Sequence, residues 1–142
     1  NPKKLYLIDP WETLKDWWGS DPSYTDTVKD FTDERREQYY QSYLNTMKVV
    51  EAFDNNVEVI KQHSDKAAET FEKDCFDWVY LDGDHRYKYV LQDLSVWHPK
   101  VKHEGLIIGH DYTHSDVQNA TQRFLEKNKN SGFQNSGFFF WK

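Results

Sequence analysis

The sequence predicts an α/β fold: a mostly parallel sheet with helices on both faces and an antiparallel strand at the C-terminal end. Three observations predict it. Short apolar runs alternate with amphipathic stretches of helical period along the chain, the pattern of repeated strand–helix–strand units. Two of those runs, Phe76–Leu81 and Gly105–Gly109, are almost wholly apolar, as strands covered on both faces are. Both stop abruptly in polar residues, at Asp82-Gly83-Asp84-His85 and at His110-Asp111-Tyr112. Open parallel sheets bind ligands beyond the carboxyl ends of their strands, so these two ends together predict one acidic, histidine-bearing crevice.

Leu5–Ile8 is apolar and halts at Asp9-Pro10, so it reads as the first strand. Trp11 to Phe31 has no clean period and reads as a long loop or partly helical insertion. Asp33–Phe53 is predicted as a helix, with Tyr40, Tyr43, Leu44, Met47 and Val50 on one face expected to be core. Thr32 or Asp33 can cap it. Val57–Ile60 is the next strand, and Ser64 or Asp65 caps a short helix reaching Phe71. After the strand Phe76–Leu81, Tyr87, Val90, Leu91, Leu94 and Trp97 mark a helix stopped near Pro99. Leu106–Ile108 is a strand, and Ser115-x-x-Gln118 reads as a capping box opening a helix with Val117, Ala120, Phe124 and Leu125 inward. Gly132–Trp141 reads as a terminal strand or hairpin. Right-handed crossovers would bring all the parallel strand ends to one edge.

A chain of 142 residues suits one domain, taken as 1–142. Aromatic content of 17% suggests a core built from Trp, Tyr and Phe more than from aliphatics. The net charge of -6 argues against a nucleic-acid partner. Cys75 is the single cysteine, so no intrachain disulfide can form. No apolar run is long enough for a bilayer and no signal-peptide pattern opens the chain, so a soluble cytoplasmic protein without membrane partners is expected. The first residue is Asn1 and strand-like sequence follows almost at once, which leads us to expect further sequence upstream.

Asp82 and Asp111 form the sharpest pair. Carboxylates from adjacent strand ends can hold a hard divalent cation such as Mg²⁺, which keeps several waters of its own. Capping of the following turns explains them too. His110 can be a further ligand, although imidazole suits zinc and other transition metals better. His85, one turn beyond Asp82, can take a proton from a substrate hydroxyl near neutral pH, or be a solvated loop histidine. His114 reads as a surface residue near a helix start. Asp9 can accept ribose hydroxyls or form a turn before proline. Ser64 and Asp65 can contact a nucleobase or cap their helix. Trp11, Trp17, Trp18 and Tyr24 can stack a planar ligand or pack against the domain. The six glycines form no G-x-G-x-x-G, G-x-G or Walker loop.

Phe76 to Tyr112 resembles the class I S-adenosylmethionine-dependent methyltransferases, and in particular their small-molecule O-methyltransferase group. The residues that carry the resemblance are Asp82-Gly83-Asp84-His85-Arg86-Tyr87, Asp93, Pro99, Gly105 and His110-Asp111-Tyr112. Leu7-Ile8-Asp9-Pro10-Trp11 looks like the family's second strand. The resemblance implies a Rossmann-like sheet, S-adenosylmethionine as cofactor, a divalent cation and a small-molecule hydroxyl as methyl acceptor. It places the cofactor at Asp9, Trp11, Ser64, Asp65 and Asp82, the metal at Asp82 and Asp111, and the catalytic base at His85 or His110. The family's first strand, glycine-rich loop and first helix would precede Asn1. Because that strand is central, either its neighbours pair directly or a second chain contributes, so a homodimer is expected as one route.

Two other readings remain open. One is a non-catalytic, incomplete methyltransferase-fold domain. The other is a metal-dependent hydrolase of the histidine–aspartate phosphohydrolase kind, which carries its pair on helices of an all-α fold.

Overall fold

The computed structural model describes residues 4–12, 33–53, 56–128, 132–134 and 139–141. They fall into two compact units, Asn1–His63 and Ser64–Lys142. Trp17, Trp18, Tyr24, Thr32 and Phe138 lie outside the described residues. No helix among the described residues is long and apolar enough to cross a membrane.

In the first unit β1 (Leu5–Asp9) pairs in parallel with β2 (Val57–Lys61), with Leu5 opposite Val57 and Asp9 opposite Lys61. Helix α1 (Asp33–Val50) lies between them in sequence and runs into a 3-10 turn, Glu51–Phe53. Asp33 and Glu34 occupy its first turn and Lys48 its last, each complementing the helix dipole. The apolar stripe expected to be core is only half-buried among the described residues, at Tyr43, Leu44, Met47 and Val50. No residue of α1 is buried, and Tyr40 is 49% exposed. Two five-residue strands offer too narrow a platform to cover an 18-residue helix.

The second unit holds a four-stranded sheet. β3 (Phe76–Leu81) is parallel to β4 (Val101–Gly109), and β6 (Phe139–Trp141) runs antiparallel between β4 and β5 (Gly132–Gln134). Helices α2 (Ser64–Glu69), α3 (Tyr87–Trp97) and α4 (Ser115–Lys127) complete it. This is the predicted α/β class with parallel strands and an antiparallel C-terminal pair. The described strands form two sheets, so direct pairing of the strands flanking the expected gap is not observed.

The core of the second unit is Leu94, Val101, Ile107 and Phe124, with Val79, Leu81, Val90, Leu91 and Leu125 packed against it. Val79 sits opposite Ile107, so this face of the sheet lies under α3 and α4. On the other face Trp78 stands opposite Leu106, and both are exposed along with Tyr80. The aromatic core expected from composition is therefore corrected. Among the described residues the buried hydrophobics are mostly Ala, Val, Leu and Ile, with Trp97 and Phe124 the aromatic members.

β4 is longer than expected because it contains an irregularity. Phe76 pairs with Val101 but Trp78 with Leu106, so extra residues bulge from β4. Glu104 there has φ 66, and a Cβ on Gly105 would stand 2.5 Å from Val101 Cγ1 and 2.9 Å from the Asp77 and Lys102 carbonyl oxygens. Gly105→Ala is expected to cost about 1–3 kcal/mol through this overpacking. Thermal melts check it; an unchanged midpoint would contradict the close approach.

The predicted capping box at Ser115 is also corrected. α4 starts at Ser115 itself, with His114 at the N-cap making no side-chain cap bond. Asp116 instead accepts the Tyr87 backbone N–H at 3.1 Å, tying the starts of α3 and α4 together.

Candidate functional site at the β3 and β4 ends

Parallel pairing puts Leu81 opposite Gly109, and His110 N donates to Leu81 O at 3.0 Å. The residues that follow, Asp82 and His110, are therefore neighbours by register. His110 Nδ1 lies 3.3 Å from Asp82 Oδ1 and 3.2 Å from Asp111 Oδ1. His85 Nε2 lies 3.3 Å from Asp111 Oδ2 and 3.6 Å from Asp82 Oδ1. Four residues from two strand ends thus converge, each imidazole facing both carboxylates. Asp111 reaches this position with φ 57, a left-handed backbone that Asp tolerates better than most residues. The ring of His114 stands 5.9 Å from that of His85, centroid to centroid. The Tyr80 phenol is pushed up, by desolvation first and then by the charges of Asp82 and Asp111. The edge is electronegative, as a cation site needs.

Asp84, at the same strand end, does not join the cluster. Its carboxylate grips the Arg86 guanidinium at 3.0 Å and accepts the Arg86 backbone N–H at 2.9 Å, shaping the turn into α3. A cavity of about 40 Å³ beside the cluster is lined by Gly83, Asp84, His85, Asp93, Gly109 and His110 among others. That is room for an ion or a few waters.

In the first unit Asp9 ends β1. Its Oδ1 accepts the Trp11 N–H at 2.5 Å, across a turn in which Trp11 has φ 48. Desolvation raises the carboxyl above the ordinary Asp value, while the Trp11 N–H and the His63 charge pull it back. The Trp11 ring packs on Tyr43, centroids 5.2 Å apart. A larger open groove of about 680 Å³ runs along α1 past Leu7, Gln41 and Asn45. It brings no cluster of titratable side chains together and is not the chemical site.

A family model described as a methyltransferase domain matches residues 1–112. The chain belongs to the methyltransferase domain family. Among solved structures, the O-methyltransferase NovP superposes with TM-score 0.62 at 16% identity, covering 98% of this chain and 59% of that one. A Corynebacterium glutamicum protein gives TM-score 0.55 at 11% identity, covering 98% and 60%. A Staphylococcus aureus protein assigned as a caffeoyl-CoA O-methyltransferase gives 0.50 at 16%, covering 98% and 76%. At such identities the likeness shows the fold. The chain spans about three fifths of the length of the first two structures. No curated protein sequence matches it.

In this methyltransferase-family chain, two further groups shape the site. Ser64, at the start of α2, accepts the Trp97 indole N–H at 2.8 Å and hydrogen-bonds the Asp93 carboxyl. Its one hydroxyl proton is therefore committed to joining α2 to α3. Asp65 holds the next backbone N–H, at Lys66, at 2.8 Å. Asp93 lies against the turn after β3, where a Cβ on Gly83 would meet its Oδ2 at 3.1 Å. Its carboxyl is pushed up to about 6, mainly by desolvation and then by the charges of Asp65 and Asp84, against the Ser64 hydrogen bond. Sequence reasoning gave Asp93 no role of its own. The available signal was an acid at helical spacing from Val90 and Leu94, on an otherwise apolar side of α3.

The histidine–aspartate phosphohydrolase reading loses its ground. His110 and Asp111 follow a strand of an α/β fold, not helices of an all-α one.

Proposed function

We propose that the chain acts as an S-adenosylmethionine-dependent methyltransferase on a hydroxyl of a small molecule. The convergence of Asp82, His85, His110 and Asp111 at the ends of β3 and β4 carries this reading. Membership of the methyltransferase domain family supplies the reaction class. The net charge of -6 supports a small acceptor over a nucleic acid.

Asp9 suits the ribose of the cofactor. One carboxylate oxygen is fixed by the Trp11 N–H, which orients the other for a hydroxyl donor. The cluster suits a divalent cation, since Asp82 and Asp111 offer carboxylate oxygens and the two imidazoles add nitrogen donors. A cation there would supply Lewis-acid chemistry, lowering the pKa of the acceptor hydroxyl. In the transfer, the acceptor oxygen bonds to the methyl carbon as the carbon–sulfur bond breaks. The hydroxyl proton passes to the lone pair of His85 or His110, or to solvent where a cation occupies both lone pairs. With cofactor and acceptor bound, the contribution of the chain would be to position the acceptor hydroxyl for the transfer.

Calorimetric titration with S-adenosylmethionine tests the proposal. Saturable heat is expected, weakened at least about tenfold in Asp9→Asn, as loss of a hydrogen bond to a charged acceptor implies. No heat from a folded sample would favour the second reading, a methyltransferase-fold domain that transfers nothing. The lack of any G-x-G among the six glycines is what keeps that reading open.

A further inference from the structure

We infer that the cluster is a histidine-ligated centre for a borderline transition-metal ion of the Zn²⁺ or Co²⁺ class, in which His85 and His110 are ligands beside Asp82. The inference rests on the proposal above that the cluster takes a cation, and deepens it. Asp82, His85 and His110 each offer one ligand atom, and these atoms all lie within 4.8 Å of one another. The Asp111 carboxylate faces His85 with one oxygen and His110 with the other.

Spacing is the first argument. The four nitrogen–oxygen distances are 3.2, 3.3, 3.3 and 3.6 Å. Ion-paired hydrogen bonds run to about 2.7–2.9 Å, and all four distances are longer. His85 Nε2 is shielded from solvent yet makes no hydrogen bond, although acceptors stand beside it. Donors at about 2.0–2.1 Å from a tetrahedral ion stand about 3.3 Å apart. Donors of an octahedral Mg²⁺ at a similar bond length stand about 2.9 Å apart. The 3.3 Å between Asp82 Oδ1 and His110 Nδ1 matches the tetrahedral edge, and the 3.6 Å to His85 Nε2 is longer than either edge.

Donor chemistry is the second argument. Carboxylate and water suit Mg²⁺, whereas imidazole suits Zn²⁺, Co²⁺ and their neighbours. Three ligands resemble a zinc centre that keeps one position exchangeable. A nitrogen lone pair bound to a cation cannot accept a proton. His85 is then a ligand and not the base in the loaded protein.

The test uses the chain stripped with chelator, without cofactor or acceptor. Co²⁺ is titrated while visible absorption is followed, and Zn²⁺ and Mg²⁺ compete for the site. Intense d–d bands of a four-coordinate ion are expected, displaced by equimolar Zn²⁺ but not by a large excess of Mg²⁺. Loss of a direct ligand should cost at least the about 10–100-fold in affinity that losing an outer-shell partner costs. His85→Ala and His85→Gln should both show that loss, with folding checked by circular dichroism. His103→Ala, which removes an exposed imidazole elsewhere on β4, should show none. A pale six-coordinate spectrum, unchanged in both His85 variants, would overturn the inference, as would equal competition by Mg²⁺. An S-adenosylmethionine titration on the same samples separates the two claims. Cofactor heat without the Co²⁺ bands sinks the centre and leaves the methyltransferase reading. The bands without cofactor heat do the reverse.

Discussion

Under the proposed function, Asp82→Asn is expected to lower methyl transfer by about 10²–10³-fold, the order that losing one preorganised group from a reacting site costs. Asp82 Oδ1 is the atom that both imidazoles share, at 3.3 Å from His110 and 3.6 Å from His85. An amide keeps the shape but removes the charge that draws a cation or an imidazolium to this point. The side chain is about half exposed and closes no core contact, so stability should stay within about 0.5 kcal/mol. Turnover of the purified variant, read beside its thermal melt, checks both halves. A variant that keeps nearly full turnover would place the reacting atoms somewhere else.

Asp93→Asn is expected to stabilise the protein near neutral pH and to do nothing in acid. The Asp93 carboxyl is pushed up to about 6, with desolvation as the main cause. In the unfolded chain it returns to about 3.9. The folded protein therefore prefers the protonated acid. That preference contributes fully below about pH 4 and is lost as pH rises through about 6. Above that, ionised Asp93 costs up to about 3 kcal/mol, since each tenfold change in proton affinity is worth about 1.4 kcal/mol. Asparagine keeps an oxygen for Ser64 and never ionises. Urea melts of both proteins at about pH 4 and about pH 7.5 should coincide in acid and diverge near neutrality. If the variant is no more stable than the parent at about pH 7.5, the desolvation account fails.

The site was more legible than the frame around it. The meeting of Asp82, His85, His110 and Asp111 was readable because two apolar strands break into acid and histidine at the same end. A parallel register then makes the two strand ends neighbours. The α3 helix and its stop near Pro99 were legible from period alone, and the 3-10 turn His98–Lys100 marks the stop. What sequence could not show was partnership. The stripe on α1 has helical spacing whether or not a surface exists to bury it, and among the described residues Tyr43, Leu44, Met47 and Val50 reach only half-burial. Ser115 and Gln118 match a capping pattern, but the pattern is blind to whether a helix starts at its first residue or just before it. Asp84 read as part of the crevice because it is an acid at a strand end. Only the nearby Arg86 fork turns it into a turn-former. Aromatic abundance misled for a related reason. Rings such as Trp78 and Tyr80 can alternate along a strand on the side away from the core.

The left-handed backbone at Asp111 sets a rule for dissecting this protein by substitution. Most side chains would add a conformational penalty of about 1–2 kcal/mol at that position before any question of charge arises. An alanine replacement there thus mixes two losses, one of geometry and one of ligand chemistry. Asparagine, which tolerates the same twist, separates them and is the informative neighbour of aspartate in any scan of this edge.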